Sequence, residues 1–484
     1  MHKSVYNDLD IETFFSMLDH TCSYIGKQYL YYLLRQDSQS NIQQFEHIIN
    51  KFMDDQSWNI KIRNILAKTS NQEAGYICSL FSYPIQTMGQ RTINIIGIIR
   101  FLPFLFTILT IATHQVIWLY ILVPALFIHF YLHYSNKKQI YSYYYAIPQT
   151  IRLLNQAELL IKEDLLNSIN ESLLNQSDLR KMRRHLAMFN ISIKLDGEIA
   201  ILAYTLTELL NIFFLGEYYT INKSLVHLNH KKQMLEDTFR LVGIVDVLYS
   251  IARLREQLPY YSIPQHIPSN KYAVMEDIYH PMVKNAVANS IHLQGKSVLI
   301  VGSNMCGKTC FIRTIGLNLI AAKVLNTSFS HTFSMNLNTR LFTSIQHVDK
   351  LLEGNSLFFQ EAIDIKTMLD ESSQKECLFL IDEPFSGTNT IERVAICTSV
   401  LKSLAHSGNI VCVTTHDIEL QNILADEYNC YYFSGKITDK QFLFDYVLHK
   451  GKTSERNAIS ILKLCGYPSR IIQSASEIIK SQNH

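Results

Sequence analysis

Charge is missing from one long stretch of this chain. Between Phe101 and His133 there is no Asp, Glu, Lys or Arg in 33 residues, and Thr92 to Ile99 extends the apolar run backwards. That composition excludes the solvated polar face of an ordinary surface helix. The nine cysteines include no C-x-x-C pair, and the closest two, Cys306 and Cys310, flank a loop and the helix after it. Reduced thiols of a cytosolic compartment fit that spacing better than a disulfide framework. A formal net charge of +2 excludes a dominating basic surface, so any nucleic-acid contact must come from local patches. The opening MHKSVYNDLDIETFF carries acids early and lacks the apolar core of a signal peptide. Glycine is scarce in the first half; ten of the seventeen lie beyond residue 270. With 484 residues, two or three domains are expected.

The charge-free run divides at Thr113-His114-Gln115 into spans near Thr92–Thr113 and Val116–His133. Each is close to the ~20 residues that cross a bilayer. Arg91 precedes the pair, Lys137 and Lys138 follow it, and the turn has no Lys or Arg. The positive-inside rule then puts both ends, and both termini, on the cytoplasmic face of the cell membrane. Tyr131, Tyr134, Tyr141, Tyr143, Tyr144 and Tyr145 crowd the exit as an interfacial belt would. Arg100 stands inside the first span, at a cost of ~2.5–3.5 kcal/mol if central and less if it snorkels outward. The alternative is a buried helical hairpin of a soluble protein.

Helical periodicity flanks the hairpin on both sides. Phe14, Leu18, Ile25, Tyr29 and Leu33 form one stripe, and Ile42 to Leu66 repeats the pattern. Gln139 to Gln257 predicts long helices with Pro148 as their only proline. Within them Arg180, Lys181, Arg183 and Arg184 form the densest basic cluster. It reads either as a phosphate contact or as a solvated helix face balanced by nearby acids, the latter favoured. Pro259, Pro264 and Pro268 then mark a linker. Beyond it, apolar runs at Lys296–Val301, Arg340–Ile345, Cys377–Ile381, Ile410–Thr414 and Cys430–Phe433 alternate with helical segments, the pattern of an α/β domain with a mostly parallel sheet.

The chemistry starts at Val298. Four apolar residues run into Gly302-Ser303-Asn304-Met305-Cys306-Gly307-Lys308-Thr309, which fits G-x-x-x-x-G-K-[ST], the Walker A pattern, and a helix opens at Lys308 with Phe311, Ile312, Ile315 and Leu319 on its apolar face. The glycines let backbone N–H groups converge, and the helix adds its positive N-terminal end. Lys308 is suited to the β/γ-phosphates of ATP and the Thr309 hydroxyl to Mg²⁺. A second strand, Cys377–Ile381, delivers Asp382 and Glu383 in the manner of a Walker B strand. Asp382 is placed to orient Mg²⁺, and Glu383 to take a proton from attacking water. A third, Val411 to Thr415, ends in His416, a candidate γ-phosphate sensor. Gly354-Asn355-Ser356 opens a helix; Ser356 is either its N-cap or a donor to phosphate across a dimer interface.

Taken together these four elements resemble the ATPase module of the MutS family of DNA mismatch-repair proteins. The phosphate loop is similar to that family's GPNMGGKS, with Cys306 and Thr309 replacing glycine and serine. Asp349-Lys350-Leu351-Leu352-Glu353-Gly354-Asn355-Ser356 resembles D-D-L-x-x-G-x-S, and Asp382 to Thr390 resembles DEIGRGTST with Pro384-Phe385-Ser386 in place of I-G-R. Thr414-Thr415-His416 is similar to A-T-H. Phe444-Asp445-Tyr446, Gly451, Asn457-Ala458 and Gly466-Tyr467-Pro468 follow the closing pattern. Leu18 to Gly26 resembles the family's L-N-R-T-x-T-x-M-G.

The resemblance implies a P-loop NTPase of the ABC type over residues 271–484. The rest is expected to be all-α: a helical core at 1–90, a transmembrane hairpin at 91–136, long-helix levers at 137–257 and a linker at 258–270. It further implies ATP and Mg²⁺ as cofactors and a homodimer with composite sites, each completed by Ser356 of the other chain. Hydrolysis would be coupled to DNA, possibly mismatched DNA, although no mismatch-reading domain fits before residue 10. The competing expectations are a membrane-anchored ABC-type ATPase, disfavoured by the lack of L-S-G-G-Q before Asp382, and a nucleotide-switched scaffold.

Overall fold

The computed structural model describes residues 2–36, 39–82, 84–85, 88–135, 143, 145–169, 174–187, 198–269, 272–303, 306–345, 357–372, 376–406, 408–437, 442–453, 462 and 466–482. These form two compact units. One comprises Met1–Leu18, Tyr32–Gln44 and Leu254–His484; the other comprises Asp19–Tyr31 and Phe45–Arg253. The first eighteen residues therefore pack with the C-terminal sheet, across the boundary expected at residue 90.

Among the described residues of the first unit, ten strands form two sheets. Strands β1 (Gln265–His266), β2 (Tyr272–Ile278), β3 (Asn289–Gln294) and β5 (Thr332–Met335) make a small sheet in the order β1-β5-β2-β3. The large sheet uses β4 (Ser297–Val301), β6 (Arg340–Ser344), β7 (Cys377–Asp382), β8 (Ile410–Thr415), β9 (Tyr428–Ile437) and β10 (Phe442–Lys450), in the order β10-β9-β4-β8-β7-β6. All its neighbours pair in parallel except β9 and β10. Every residue of β4 and β8 is buried, which is why these strands read as unbroken apolar runs rather than alternating ones. The five strands anticipated from composition are the five parallel ones. The short strands of the small sheet and the β10 edge were not anticipated, because their half-exposed residues mix polar and apolar types.

Helix Lys308–Leu325 differs from its expected single apolar face, being buried nearly all round. Leu9, in the turn before helix Ile11–Leu18, lies on its outer side, where a Cβ on Gly316 would meet Leu9 at 2.9 Å and Leu380 of β7 at 2.9 Å. The N-terminal segment is thus a cover for this helix.

The second unit is helical, with helices Ala146–Leu160, Gln176–Ala187, Glu198–Phe214, Gly216–His230 and Lys232–Gln257 following the hairpin. Arg180 and Arg183 reach the largely buried Glu158, at 2.7 and 3.1 Å, so half of the basic cluster is engaged in holding two helices together. Asp246 is fully buried and accepts hydrogen bonds from the N–H groups of Cys22 and Ser23, both at 2.8 Å, and from the Ser23 hydroxyl. Ser23 Oγ in turn accepts from Gly26 N–H at 2.9 Å, capping helix Tyr24–Arg35. A Cβ at Gly26 would fall 2.1 Å from Asp246 Oδ2, so only glycine fits there. This clasp is the physical content of the Leu18–Gly26 motif.

The charge-free run forms helices Gln90–Ile99, Leu102–Thr113 and Ile117–Ser135. The first break falls at Arg100-Phe101, just before Pro103, which suits the first turn of a new helix and cannot continue an old one. Only 11% of each apolar window is buried, so these are not core helices. Thr107, Thr110 and Thr113 donate to the carbonyls of Pro103, Phe106 and Leu109, which satisfies their hydroxyls within the helix. Of the residues flanking the hairpin, Lys137, Lys138, Tyr141 and Tyr144 lie outside the described residues.

Replacing Asp246 with Ala strands three buried donors and should lower stability by about 3–5 kcal/mol. A fall in the urea midpoint followed by circular dichroism checks this, and an unchanged midpoint removes the clasp. Burial outweighs the hydrogen bonds and pushes this carboxyl up to about 6 from 3.8. The folded chain therefore binds the proton more tightly than the unfolded one. The group's contribution to stability declines as pH rises through that window.

Candidate functional site

Strand order determines what meets at the C-terminal edge of the large sheet. β8 lies between β4 and β7, with Val301 opposite Thr415 and Asp382 opposite Thr414. Three chain ends, distant in sequence, therefore leave the sheet side by side: Gly302 onward, Glu383 onward and His416 onward. An open α/β sheet binds ligands at this edge.

The loop after β4 turns sharply. A Cβ on Gly302 would come 2.8 Å from Cys306 Sγ and 3.2 Å from the Phe433 carbonyl, and Gly307 sits at φ 103°, in the left-handed region that side chains rarely adopt. Lys308 opens the long buried helix, so its chain starts at the positive end of that dipole. Its Nζ donates to the carbonyls of Gly302 at 2.8 Å and Ser303 at 3.0 Å, and lies 3.4 Å from Glu383 Oε1. Burial pushes the Cys306 thiol up, so it is a packed neutral group rather than a nucleophile. Asn304, Met305 and the run Asp349–Ser356, with its candidate donor Ser356, lie outside the described residues.

Asp382 ends β7 with both carboxylate oxygens engaged. Thr309 Oγ1 donates to Oδ2 at 2.6 Å, and the Thr414 hydroxyl donates to Oδ1. Glu383 follows at φ 46° and Phe385 at φ 59°, two non-glycine residues in left-handed geometry. The turn is held by Glu383 N–H donating to Thr414 O at 3.0 Å and by Phe385 N–H donating to the buried Glu361 carboxylate at 2.6 Å. Backbone strain of this kind persists only where neighbours over-determine it. It aims Glu383 between Lys308 and His416, whose Nδ1 is 3.6 Å from Glu383 Oε2. The contact with His416 is the strongest influence on Glu383 and holds its carboxyl below the usual carboxylate range. The same contact lifts the His416 imidazole above its ordinary value.

Three features of this edge escaped sequence reasoning. Thr414 had no assigned role, although it precedes His416 by two residues. Arg393 and Asp417 form a bidentate pair at 2.8 and 2.7 Å directly behind His416; an Arg inside the apolar pattern of helix Thr390–Ala405 was its only signal. The third is a cleft of about 380 Å³ on the outer side of the phosphate loop, lined by Gly307, Cys310, Phe433, Tyr446, Val287 and His280 among others. Asn289 shapes it by donating to Tyr446 O at 3.0 Å and accepting from Leu448 N–H at 2.7 Å, across the register shift of β10. Burial and nearby Arg313 bring the His280 imidazole down to about 4, so it faces this cleft as a neutral ring.

The Glu383–His416 contact is charged between the lowered value of the acid and the raised value of the base. It is lost as pH falls through the former or rises through the latter. In NMR titrations assigned with His416→Gln, His416 should titrate above 6.5, and Glu383→Gln should lower that value. An unshifted His416 in the variant would separate the two groups.

Residues 298–483 match MutS domain V. The chain is 26% identical over 260 residues to the DNA mismatch repair protein MutS of Clostridium botulinum (strain Hall), covering 51% of this chain and 28% of that protein. It is 27% identical over 249 residues to the MutS protein of Aquifex pyrophilus, covering 50% and 29%. Against that of Methanosarcina barkeri it is 26% identical over 277 residues, covering 54% and 30%. The chain thus spans less than a third of the length of these relatives. The strands and loops that build this edge, from β4 to the C-terminal helix, are thus a MutS-type domain V.

Proposed function

We propose that this chain is an ATP-hydrolysing, DNA-binding MutS-like protein that acts as a dimer and is held at the cytoplasmic face of a membrane. The observation that carries the ATPase part is the succession Lys308, Glu383, His416, at 3.4 and 3.6 Å, beside a helix N-terminus. Lys308 and the loop N–H groups bind and neutralise phosphate oxygens. Glu383 accepts the proton of the attacking water, with His416 holding its carboxylate in place and Arg393–Asp417 buttressing His416. The apolar cleft beside Gly307 suits the flat base of the nucleotide.

The donor set fits a magnesium ion. Thr309 and Asp382 bring hard oxygen ligands together, and no cluster of three or more His, Cys, Asp or Glu side chains suited to a metal occurs among the described residues. Mg²⁺ takes one or two carboxylates and completes its shell with phosphates and waters. When bound it supplies charge neutralisation between phosphates.

Dimerisation with Ser356 completing the partner site and coupling to DNA rest on the similarity of residues 298–483 to MutS domain V. Membrane attachment is supported by the two apolar helices and their exposure. Mismatch preference is a further question for the same assay.

Lys308→Ala should abolish nucleotide binding. Glu383→Gln should retain binding while turnover falls by at least ~10²-fold; normal turnover in that variant would remove Glu383 as the base. Detergent-solubilised protein should bind duplex DNA with an affinity that falls as salt rises and that ATP alters. Absence of binding at low salt would sink the DNA part and leave the ATPase part standing.

A further inference from the structure

The base of the hairpin holds two cations against one aromatic ring. Arg100 sits at the break between helices Gln90–Ile99 and Leu102–Thr113, where the charge-free run begins. Its guanidinium carbon lies 4.3 Å from the ring centroid of Tyr219 and 4.6 Å from that of Phe101. Lys223 stands one helical turn beyond Tyr219, with Nζ 5.6 Å from the same ring. The two positive groups are therefore within about 10 Å of each other, closer than or equal to a Debye length at ordinary salt. Tyr219 is itself held in place, since a Cβ on Gly97 would come 3.0 Å from its ring. The arrangement is built by helix packing and is not a chance meeting of long side chains.

What surrounds the pair is as informative. Other polar groups at the hairpin base are partly met, with His129 Nε2 left buried and without a partner. His129 Nδ1 lies 3.2 and 3.0 Å from the carbonyls of Ile212 and Phe213 at the end of a helix, and His133 Nε2 lies 3.0 Å from Glu208. Among the described residues Arg100 and Lys223 have no acidic partner, and Arg100 Nε is buried without a hydrogen-bond acceptor. Beyond them the hairpin is apolar on every side, with Phe104, Ile111, Tyr120, Phe127 and Ile128 exposed. A helix that is apolar all round requires an apolar surrounding, and the unneutralised cations stand at its edge. Charge complementarity points to an anionic layer bounding a hydrocarbon one.

We propose that Arg100 and Lys223, joined through Tyr219, bind the phosphate of an anionic phospholipid where the hairpin enters the bilayer. This rests on the membrane reading of the hairpin and adds its boundary. A headgroup layer at Arg100 puts Phe101 onward in the hydrocarbon and leaves the exposed Ile95 and Ile98 at the interface. From Phe101 to Thr113 the arm measures about 20 Å at 1.5 Å per residue, against a hydrocarbon core of about 30 Å. Local thinning of the bilayer and snorkelling of Arg100 accommodate the difference.

The test is flotation of the full chain with vesicles of phosphatidylcholine alone or with 30% phosphatidylglycerol. The wild type should bind both and prefer the anionic vesicles by about thirtyfold, the factor that two cations near a charged surface supply. Arg100→Gln/Lys223→Gln should bind neutral vesicles as the wild type does and lose that preference. Lys223→Gln alone, at an exposed position, should lose about fivefold. An undiminished preference in the double variant overturns the lipid site while leaving the membrane reading intact. Failure of the wild type to bind either vesicle overturns both. Loss of duplex DNA binding in the double variant with vesicle preference unchanged reassigns the pair to a nucleic-acid phosphate, which also overturns it.

Discussion

The site depends on one constraint, the parallel pairing of β8 between β4 and β7. Parallel neighbours run their ends to the same edge, and the register sets Val301 level with Thr415 and Asp382 level with Thr414. From that alone follow the hydroxyl of Thr414 on Asp382 and the approach of Glu383 to both Lys308 and His416. A slip of one residue in β8 would turn Thr414 to the other face of the sheet and leave the half-buried Asp382 without that hydroxyl. Buried strands resist such a slip because every side chain on both faces is packed, and β4 and β8 are buried throughout.

The second determinant is local and energetically unfavourable. Left-handed backbone at Glu383 and Phe385 costs of order 1–3 kcal/mol per residue. The cost is offset by hydrogen bonds to Thr414 O and to the Glu361 carboxylate. Glu361 comes from a helix that begins just after the run containing Ser356, so the orientation of Glu383 is tied to the segment expected to complete a partner site. Arg393 and Asp417 play the corresponding part for His416. Their charges are nearly buried and neutralise each other, and removing one would leave the other uncompensated, a loss of about 3–5 kcal/mol.

How much of this was legible in the sequence follows the same physics. The phosphate loop, the acid pair and His416 were readable because each terminates an apolar run, and a buried parallel strand has no other way of being written. The Leu18–Gly26 motif was recognisable, but its reason, a buried carboxylate over two hundred residues away that holds the helix-capping Ser23, was not. Asp246 sits in a helix whose pattern gives no hint that an acid points inward. Long-range polar partners such as Arg393–Asp417 and Asn289–Tyr446 are likewise invisible, since side-chain pairing across a fold leaves no periodic trace. The all-round burial of helix Lys308–Leu325 was missed for a related reason. Its N-terminal cover comes from the opposite end of the chain.

The hairpin shows the converse case, in which composition marks an apolar segment and leaves its packing unwritten. Absence of charge over 33 residues marks the segment as one that avoids water, and hydropathy alone then extends the apolar span back to Thr92. Ile93 and Ile96 are buried, Ile96 against Leu215 and Tyr218, so one face of helix Gln90–Ile99 packs on its own unit while Ile95 and Ile98 on the other stay exposed. Helix geometry breaks at Arg100, where the cations gather on Tyr219; exposed apolar residues stand on both sides of that break, Ile95 and Ile98 before it and Phe104 and Ile111 after it. An apolar residue buried by protein and one left exposed are written with the same letters. Only packing separates the two, as where Ile96 is covered by Leu215 and Tyr218 and its neighbours Ile95 and Ile98 are not.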